Sequence, residues 1–293
     1  MVATESVAQY SHMGSMISTF LDESYDAYPR IEAAFQDALD ESLHPRGPEL
    51  LYEMVGKLRL PLAGSVLDLG CGEGQHSIQL AELFRFAVHG IDPVPRHIEL
   101  ANEALDQAAK RDPALSKLVR FELGAAESLP MKDASIDLIW CREVLYHIGS
   151  LDKAFAECRR VLCTGGYMLI YHNFATDRLE PREAEWQWYE GVVPANQNPQ
   201  HVEAAFAGAG FQIDQCIELA SEFGENAEEK TGQVGRQLIH AARLLRAPER
   251  YIAKFGRAAY DIMLRDCLWH VYRMIGKLSS RVYLLKISSS QAA

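Results

Sequence analysis

The sequence predicts an α/β fold: a mostly parallel sheet of seven strands, with helices on both faces and a helical lid. Three observations carry this expectation. Short apolar runs alternate with amphipathic helical stretches between about residues 60 and 220, the pattern of parallel strands buried on both faces. The first run ends in a glycine-rich turn that opens a helix. About 60 residues of nearly unbroken helical pattern then precede a last strand.

Each element can be justified in order. Residues 1–22 carry Ser, Met and Gly with weak periodicity. From Tyr25 to Leu60 the pattern is helical: Ile31, Phe35 and Leu39 recur at i, i+4 and i+8, and Leu50, Leu51, Met54 and Leu58 repeat similarly. Strands are predicted at Val66–Leu69, Phe86–Ile91, Leu118–Leu123, Ile136–Trp140 and Tyr167–Tyr171. Helices between them cover Ile78–Phe84, Arg96–Lys110 and a stretch with Leu151, Ala154, Phe155, Cys158, Val161 and Leu162 on one face. Gly165-Gly166 is expected to end that last helix, because C-caps favour glycine. A polar and aromatic stretch over 174–200 follows, with Trp186, Trp188 and Tyr189 as lid or packing residues. Next come a helix at Pro199–Ala209 and a strand at Phe211–Leu219. Residues 220–280 read as helix, broken in two by Pro248. Ile252, Phe255, Ala259, Ile262 and Met263 share one apolar face there, and Trp269, Tyr272 and Met274 are candidates to face a substrate. Arg281–Ile287 reads as the final strand. The expected organisation is a helical cap segment (1–60), a core (61–219), a helical insertion serving as substrate lid or oligomer contact (220–280), and a final strand and tail (281–293). A chain of 293 residues suffices for one large domain with a lid.

Composition narrows the function classes. The net charge is −11 and no basic run of five or more residues occurs, which disfavours a polyanionic partner held by clustered cations, so no nucleic-acid substrate is expected. No stretch of about 18 uninterrupted apolar residues is present, so no membrane partner is expected. The first residues lack a basic region followed by an apolar one, as a secretory signal requires. The six cysteines form no Cys-x-x-Cys pair and match no zinc spacing, so reduced thiols, a cytoplasmic location and no metal are expected. The apolar insertion leaves a homo-oligomer open.

The strongest local signal is Asp68-Leu69-Gly70-Cys71-Gly72-Glu73-Gly74, between strand and helix. Such glycines permit a tight turn and let backbone N–H groups approach a ligand. Asp92 ends the second strand 22 residues beyond Gly70, where a carboxylate can bind ribose hydroxyls. Dinucleotide sites favour G-x-G-x-x-G; here the third glycine comes only two positions after the second, and the sixth position is His76. Asp68 and Glu73 are ill suited to cradling a pyrophosphate and suit a cofactor with a cationic end. S-adenosylmethionine has an ammonium group and a sulfonium.

Val66–Gly74 resembles the first motif of class I S-adenosylmethionine-dependent methyltransferases, and Gly90-Ile91-Asp92 resembles the second. Ala126-Glu127-Ser128-Leu129-Pro130 with Ile136–Trp140 resembles the third; Val144–Ile148 and Ala154–Gly166 complete the pattern. The resemblance covers about residues 60–175 and is nearest to the ubiquinone/menaquinone-type branch, which also holds natural-product tailoring enzymes. It implies a Rossmann-like sheet and S-adenosylmethionine as cofactor. It further implies that Gly70, Gly72 and Gly74 line the methionine part and that Asp68 and Cys71 belong to the cofactor-binding set. Asp92 and Pro93 would sit at the ribose, Ala126 and Glu127 at the adenine, and Cys141 and Arg142 beside the methionine. Tyr25 would close over the cofactor, with Tyr28 as the alternative.

Methyl transfer is an in-line displacement, in which positioning can supply roughly 7–11 kcal/mol. A base is needed for a weakly acidic acceptor. His147 and His172 follow the fourth and fifth strands, at the sheet end where open α/β sheets bind ligands. Either could take a proton near neutral pH. Tyr146 is a candidate to orient the acceptor, and Glu143 reads as a cap or cofactor neighbour. Histidine bases point to O-methylation of a small molecule such as a secondary metabolite. The quinone-type resemblance points instead to a C-methyltransferase acting on a quinone or terpenoid, and N-methylation stays open. A protein methyltransferase and a non-catalytic S-adenosylmethionine-binding regulator are the remaining readings.

Overall fold

The computed structural model describes residues 24–36, 38–188 and 191–287. The chain divides into two compact units, Met1–Pro45 and Arg46–Ala293. In the first, residues 24–36 and 38–40 are helical (α1), with Asp26 and Arg30 paired at 2.6 Å along its surface. The helix expected to continue to Leu60 is interrupted over 41–48, where Pro45, Gly47 and Pro48 lie. It resumes as α2 (Glu49–Gly56), which belongs to the second unit and buries Leu51, Tyr52, Met54 and Val55.

The second unit is built on a sheet of seven strands: β1 (Ser65–Leu69), β2 (Ala87–Asp92), β3 (Val119–Leu123), β4 (Ile136–Arg142), β5 (Leu162–Ala175), β6 (Phe211–Ala220) and β7 (Leu278–Ile287). Their spatial order is β3-β2-β1-β4-β5-β7-β6. All pairs are parallel except those of β7, which runs antiparallel to both β5 and β6. The order reverses between β1 and β4, so connections leave in opposite directions and a crevice opens at the carboxyl ends of these two strands.

Side chains alternate across the sheet. Leu67, Leu69, Ile139, Cys141, Met168 and Ile170 pack into one core with α6 (Leu151–Val161) and α8 (Pro199–Gly208). Val66, Leu138, Trp140, Leu169 and Tyr171 pack into the other. Helices α2, α3 (Gln75–Phe84), α4 (Pro95–Ala109) and the single turn α5 (Leu115–Leu118) cover that second face.

Two expectations need correction. Helix α6 stops at Val161, and Leu162 is already extended. Gly165 (φ 83°) lies inside β5, where pairing with β4 shifts register between Ile136 and Leu138, so the glycine pair shapes a strand irregularity instead of a helix cap. The segment after β6 is four helices, not two: α9 (Glu222–Thr231), α10 (Gln233–Arg246), α11 (Pro248–Phe255) and α12 (Arg257–Met274). Pro248 does start a new helix, but Gly232 and Gly256, both at positive φ, make the other two breaks. One further short helix, α7 (Pro181–Gln187), follows β5 and carries a capping box between Glu180 and Glu183.

Candidate cofactor and acceptor sites

The turn after β1 folds back on the end of β2. Gly70 and Cys71 donate their N–H groups to the Ile91 carbonyl at 2.8 and 2.9 Å. Gly72 N–H donates to Asp92 Oδ2 at 3.0 Å, and Val94 N–H donates to Oδ1 at 2.9 Å. The His97 ring nitrogen Nδ1 lies 3.0 Å from the same oxygen. These bonds hold a carboxylate that is 6% exposed at the mouth of the crevice. Asp68 lies beneath the turn, fully buried, and accepts the Ser77 hydroxyl at 2.6 Å. Burial raises its carboxyl to about 6.

Above this turn is a cavity of about 170 Å³. Ile91 and Pro93 wall it on one side, Gly124–Glu127 on another, and Val144, His147 and Ile148 on the third. Gly70 and Gly74 are tightly packed, since a side chain at Gly70 would strike Val144 and one at Gly74 would strike Phe121 and Ala101. Gly72 differs. It sits at φ 51° with open space where a Cβ would stand, so the close approach it permits is toward a ligand.

A second cavity, of about 430 Å³, adjoins the first. Arg142, Glu143, Tyr146 and His147 form its floor, Gln187, Trp188, Val192 and Gln197 one wall, and α12 the other, through Arg265, Asp266, Trp269, His270 and Arg273. His147 lines both cavities. Its Nδ1 lies 2.7 Å from the Gly191 carbonyl. A carbonyl only accepts, so Nδ1 carries a proton, and the tautomer this contact selects has its lone pair at Nε2. Tyr146 stacks among His147, His172 and Trp269, with ring centroids 4.5, 5.2 and 5.9 Å away. Several buried polar atoms of this lining have no hydrogen-bond partner among the described residues: both amide atoms of Gln197, Oε1 of Gln187 and Nε1 of Trp188.

Residues 67–170 match the family model for a methyltransferase domain. The core of this chain is a class I S-adenosylmethionine-dependent methyltransferase domain. The 27-O-demethylrifamycin SV methyltransferase of Amycolatopsis mediterranei (strain S699) is 29% identical over 159 residues, 51% of this chain and 57% of that protein. The chain thus spans little more than half of that relative's length. The sarcosine/dimethylglycine N-methyltransferase of Aphanothece halophytica is 26% identical over 229 residues, 78% of this chain and 73% of that protein. Oxygen and nitrogen acceptors thus both occur among the relatives. The crystal structure of the cyclase SpnF superposes with a TM-score of 0.63 at 21% identity, covering 82% of this chain and 81% of that one. At that identity the likeness is one of fold.

Within the methyltransferase domain, the residues read from sequence separate into groups. Gly70, Pro93, Ala126 and Glu127 line the smaller cavity; Gly72 and Asp92 are bonded to each other beside these lining residues without lining it themselves, and Asp68 is buried beneath the turn. Cys71 is buried with its Sγ turned to the Gly72 carbonyl, 3.7 Å away. Strand alternation separates the next pair. Cys141 is fully buried in the core beside α6, where burial lifts its thiol well above the usual range, and it does not line the cavity. Arg142 projects to the opposite face, donates to His76 Nε2 and lines the larger cavity. His76 is held to about 4 by burial and by Arg142, and its other nitrogen meets the Tyr52 hydroxyl at 2.6 Å. His172 is also neutral, drawn down to about 4 by burial. It lines neither cavity and stands 0% exposed behind Tyr146, with Nε2 on the Asn196 carbonyl at 3.0 Å. Glu143 takes φ 57° at the end of β4 and accepts from Asn173 at 2.8 Å. Of the aromatic cluster, Trp188 lines the larger cavity, while Trp186 packs against the insertion; Tyr189 lies outside the described residues, and Trp269, a candidate from the insertion, also lines the larger cavity. Tyr25 lies on α1 of the N-terminal unit.

Sequence reasoning missed Gly124 and Ala125 at the smaller cavity and His97 beside Asp92. It also missed Gln187, Gln197, Arg265, Asp266, His270 and Arg273 at the larger one. The first group sits within a few residues of recognised motifs, and the strand-end positions could have found them. The second group comes from a loop and a helix far along the chain, and no spacing signals it.

Proposed function

We propose that this chain transfers a methyl group from S-adenosylmethionine to an oxygen of a small-molecule acceptor seated in the larger cavity. The observation that carries the reading is His147, which lines both cavities with its Nε2 lone pair left available by the Gly191 contact. Three features support placing the cofactor at the smaller cavity: the open side of Gly72, the fixed carboxylate of Asp92 for the ribose, and the lining residues Ile91 and Ala126 for the base. Bound there, S-adenosylmethionine supplies an electrophilic methyl on a sulfonium.

The chain's own part is to hold the acceptor, exclude water and receive a proton. Tyr146, Trp188 and Trp269 offer aromatic faces to the acceptor's apolar body. The unpartnered Oε1 of Gln187 and the unpartnered amide of Gln197 call for hydroxyl or carbonyl groups on it, because buried polar groups are otherwise costly. His147 Nε2 takes the hydroxyl proton as the oxygen becomes nucleophilic. His172 acts as a positioning residue behind Tyr146. Helix α12 serves as the lid wall of the substrate site. Tyr25 belongs to this proposal on the sequence resemblance alone, as a ring that closes over the cofactor.

Calorimetric titration tests the cofactor half. S-adenosylmethionine is expected to bind and NADH not, with Asp92→Ala weakening the first at least about tenfold, or about 1.4 kcal/mol. Binding of NADH instead would overturn it. A labelled-methyl assay over oxygenated aromatic and macrocyclic acceptors tests the second half, where His147→Gln is expected to lose transfer and keep cofactor affinity. The alternative reading is S-adenosylmethionine binding without methyl transfer. Tight cofactor binding with no label moved to any acceptor of the panel would favour that reading.

A further inference from the structure

A third cavity, of about 340 Å³, lies wholly within the helical insertion and shares no lining residue with the acceptor cavity. Its wall is Leu244, Tyr251, Phe255, Ala259, Tyr260 and Met263, from α10, α11 and α12. The only polar side chains besides the tyrosine hydroxyls are those of His240 and Arg243. A cavity of this size and character is suited to an apolar ligand body with few polar anchors.

The surroundings specify the charge of that ligand. Between residues 233 and 257 stand six cations, Arg236, Arg243, Arg246, Arg250, Lys254 and Arg257, against one acid, Glu249. This occurs in a chain of net charge −11. All six are exposed. Among the described residues only Arg257 of the six forms an ion pair, with Asp261 at 3.7 Å. Arg236, Ile239, Arg243 and Arg246 fall at i, i+3, i+7 and i+10 and so share one face of α10. That face is solvent-exposed and includes a bare Ile239, 52% exposed. Apolar side chains among unpaired cations match a molecule that is apolar at one end and negative at the other.

We propose that this cavity binds an anionic amphiphile, a hydrocarbon tail carrying a phosphate or carboxylate head. The tail lies between α11 and α12 against Phe255 and Met263, and the head meets Arg243. This site is independent of methyl transfer. The amphiphile can come from two sources, free monomers or the lipids of a bilayer.

The test uses the full chain and three probes with one tail, decyl phosphate, decyl glucoside and decyltrimethylammonium, each below its micelle concentration. Decyl phosphate is expected to bind saturably at one per chain, at least about tenfold tighter than the cationic probe. Ala259→Trp, which fills the cavity, removes that binding while S-adenosylmethionine still titrates as in the parent. Should this variant fail to fold, Met263→Gln tests the same wall. Arg243→Gln lowers decyl phosphate to the level of the glucoside. Flotation with phosphatidylglycerol vesicles separates the sources: binding lost in Ala259→Trp assigns bilayer lipid, and monomer binding without flotation assigns a free amphiphile. Equal binding of all three heads overturns the proposal, as does unchanged decyl phosphate binding in a folded Ala259→Trp. Vesicle binding that survives the cavity variant, without monomer binding, would reduce the feature to surface charge. A dimer that Ala259→Trp dissociates, with no probe bound, would make the face an interface between copies.

Discussion

At Asp92 one carboxylate meets the glycine turn, the start of α4 and the His97 ring. It is therefore already organised, and in the proposed cofactor site little ordering would be left for a ribose to cost. Its position was legible because a strand, a glycine turn, a helix and a second strand have nearly fixed lengths, so the carboxylate falls about 20 residues beyond the turn. Cys141 was misplaced because neighbouring strand residues face opposite ways, and only the sheet's register decides which way. Gly72 gives the sharpest single-residue prediction. Alanine there meets no atom of the described residues within 4 Å, so its folding cost is that of a left-handed residue, roughly 1–2 kcal/mol. The expected Gly72→Ala protein is folded, melts lower by a few degrees, and binds S-adenosylmethionine at least about tenfold more weakly. Parent-like affinity in a calorimetric titration would mean that the open space above Gly72 is not where the cofactor lies.

The helices of the insertion show what periodicity hides. Apolar residues recur through residues 233–274 with helical spacing, so the segment reads as continuous where only Pro248 interrupts it. Proline announces itself by removing a donor, whereas glycine is silent unless the backbone turns there. Between α11 and α12 it does turn, with Gly256 at φ 85° and ψ 159°, a region essentially closed to residues with a side chain. No atom lies within 4 Å of a Cβ at that point, so the cost of Gly256→Ala is backbone strain alone, about 1–3 kcal/mol. Thermal unfolding is expected to shift down accordingly while S-adenosylmethionine titrates normally, since the break is outside the cofactor cavity. An unchanged melting point would show that the α11–α12 corner does not need this conformation. The acceptor lining depends on the same corner, because it sets where Arg265, Trp269 and Arg273 of α12 face. Those residues carry no local signature, which is why the fold and the glycine turn leading to Asp92 were readable and the lining of the larger cavity was not.

Across the whole molecule, two buried groups pull stability in opposite directions with pH. His172 titrates at about 4 in the folded chain against 6.5 when free, because burial disfavours its charged form. Its contribution is complete above about 6.5 and is lost as the pH falls toward 4, a loss of about 2 kcal/mol by pH 5. Asp68 is the reverse case. Burial raises it to about 6 from 3.8, so the folded state holds a proton that the unfolded chain has released. Stability from that proton is present at acid pH and disappears as the pH rises through 6, so going from pH 7 to 5 it returns about 1 kcal/mol. His76, held at about 4, adds to the histidine side and is common to the parent and both variants below. Urea unfolding at pH 7 and pH 5 separates the terms. His172→Phe, which keeps an aromatic ring between Tyr146 and Phe174, should lose about 2 kcal/mol less than the parent over that interval. Asp68→Asn should lose about 1 kcal/mol more, having no proton to take up. Only the change with pH is diagnostic, because each substitution also carries a constant cost, the unpaired Asn196 carbonyl in one and the altered Ser77 bond in the other. Parallel curves for all three proteins would show that neither group is as deeply desolvated as its burial implies.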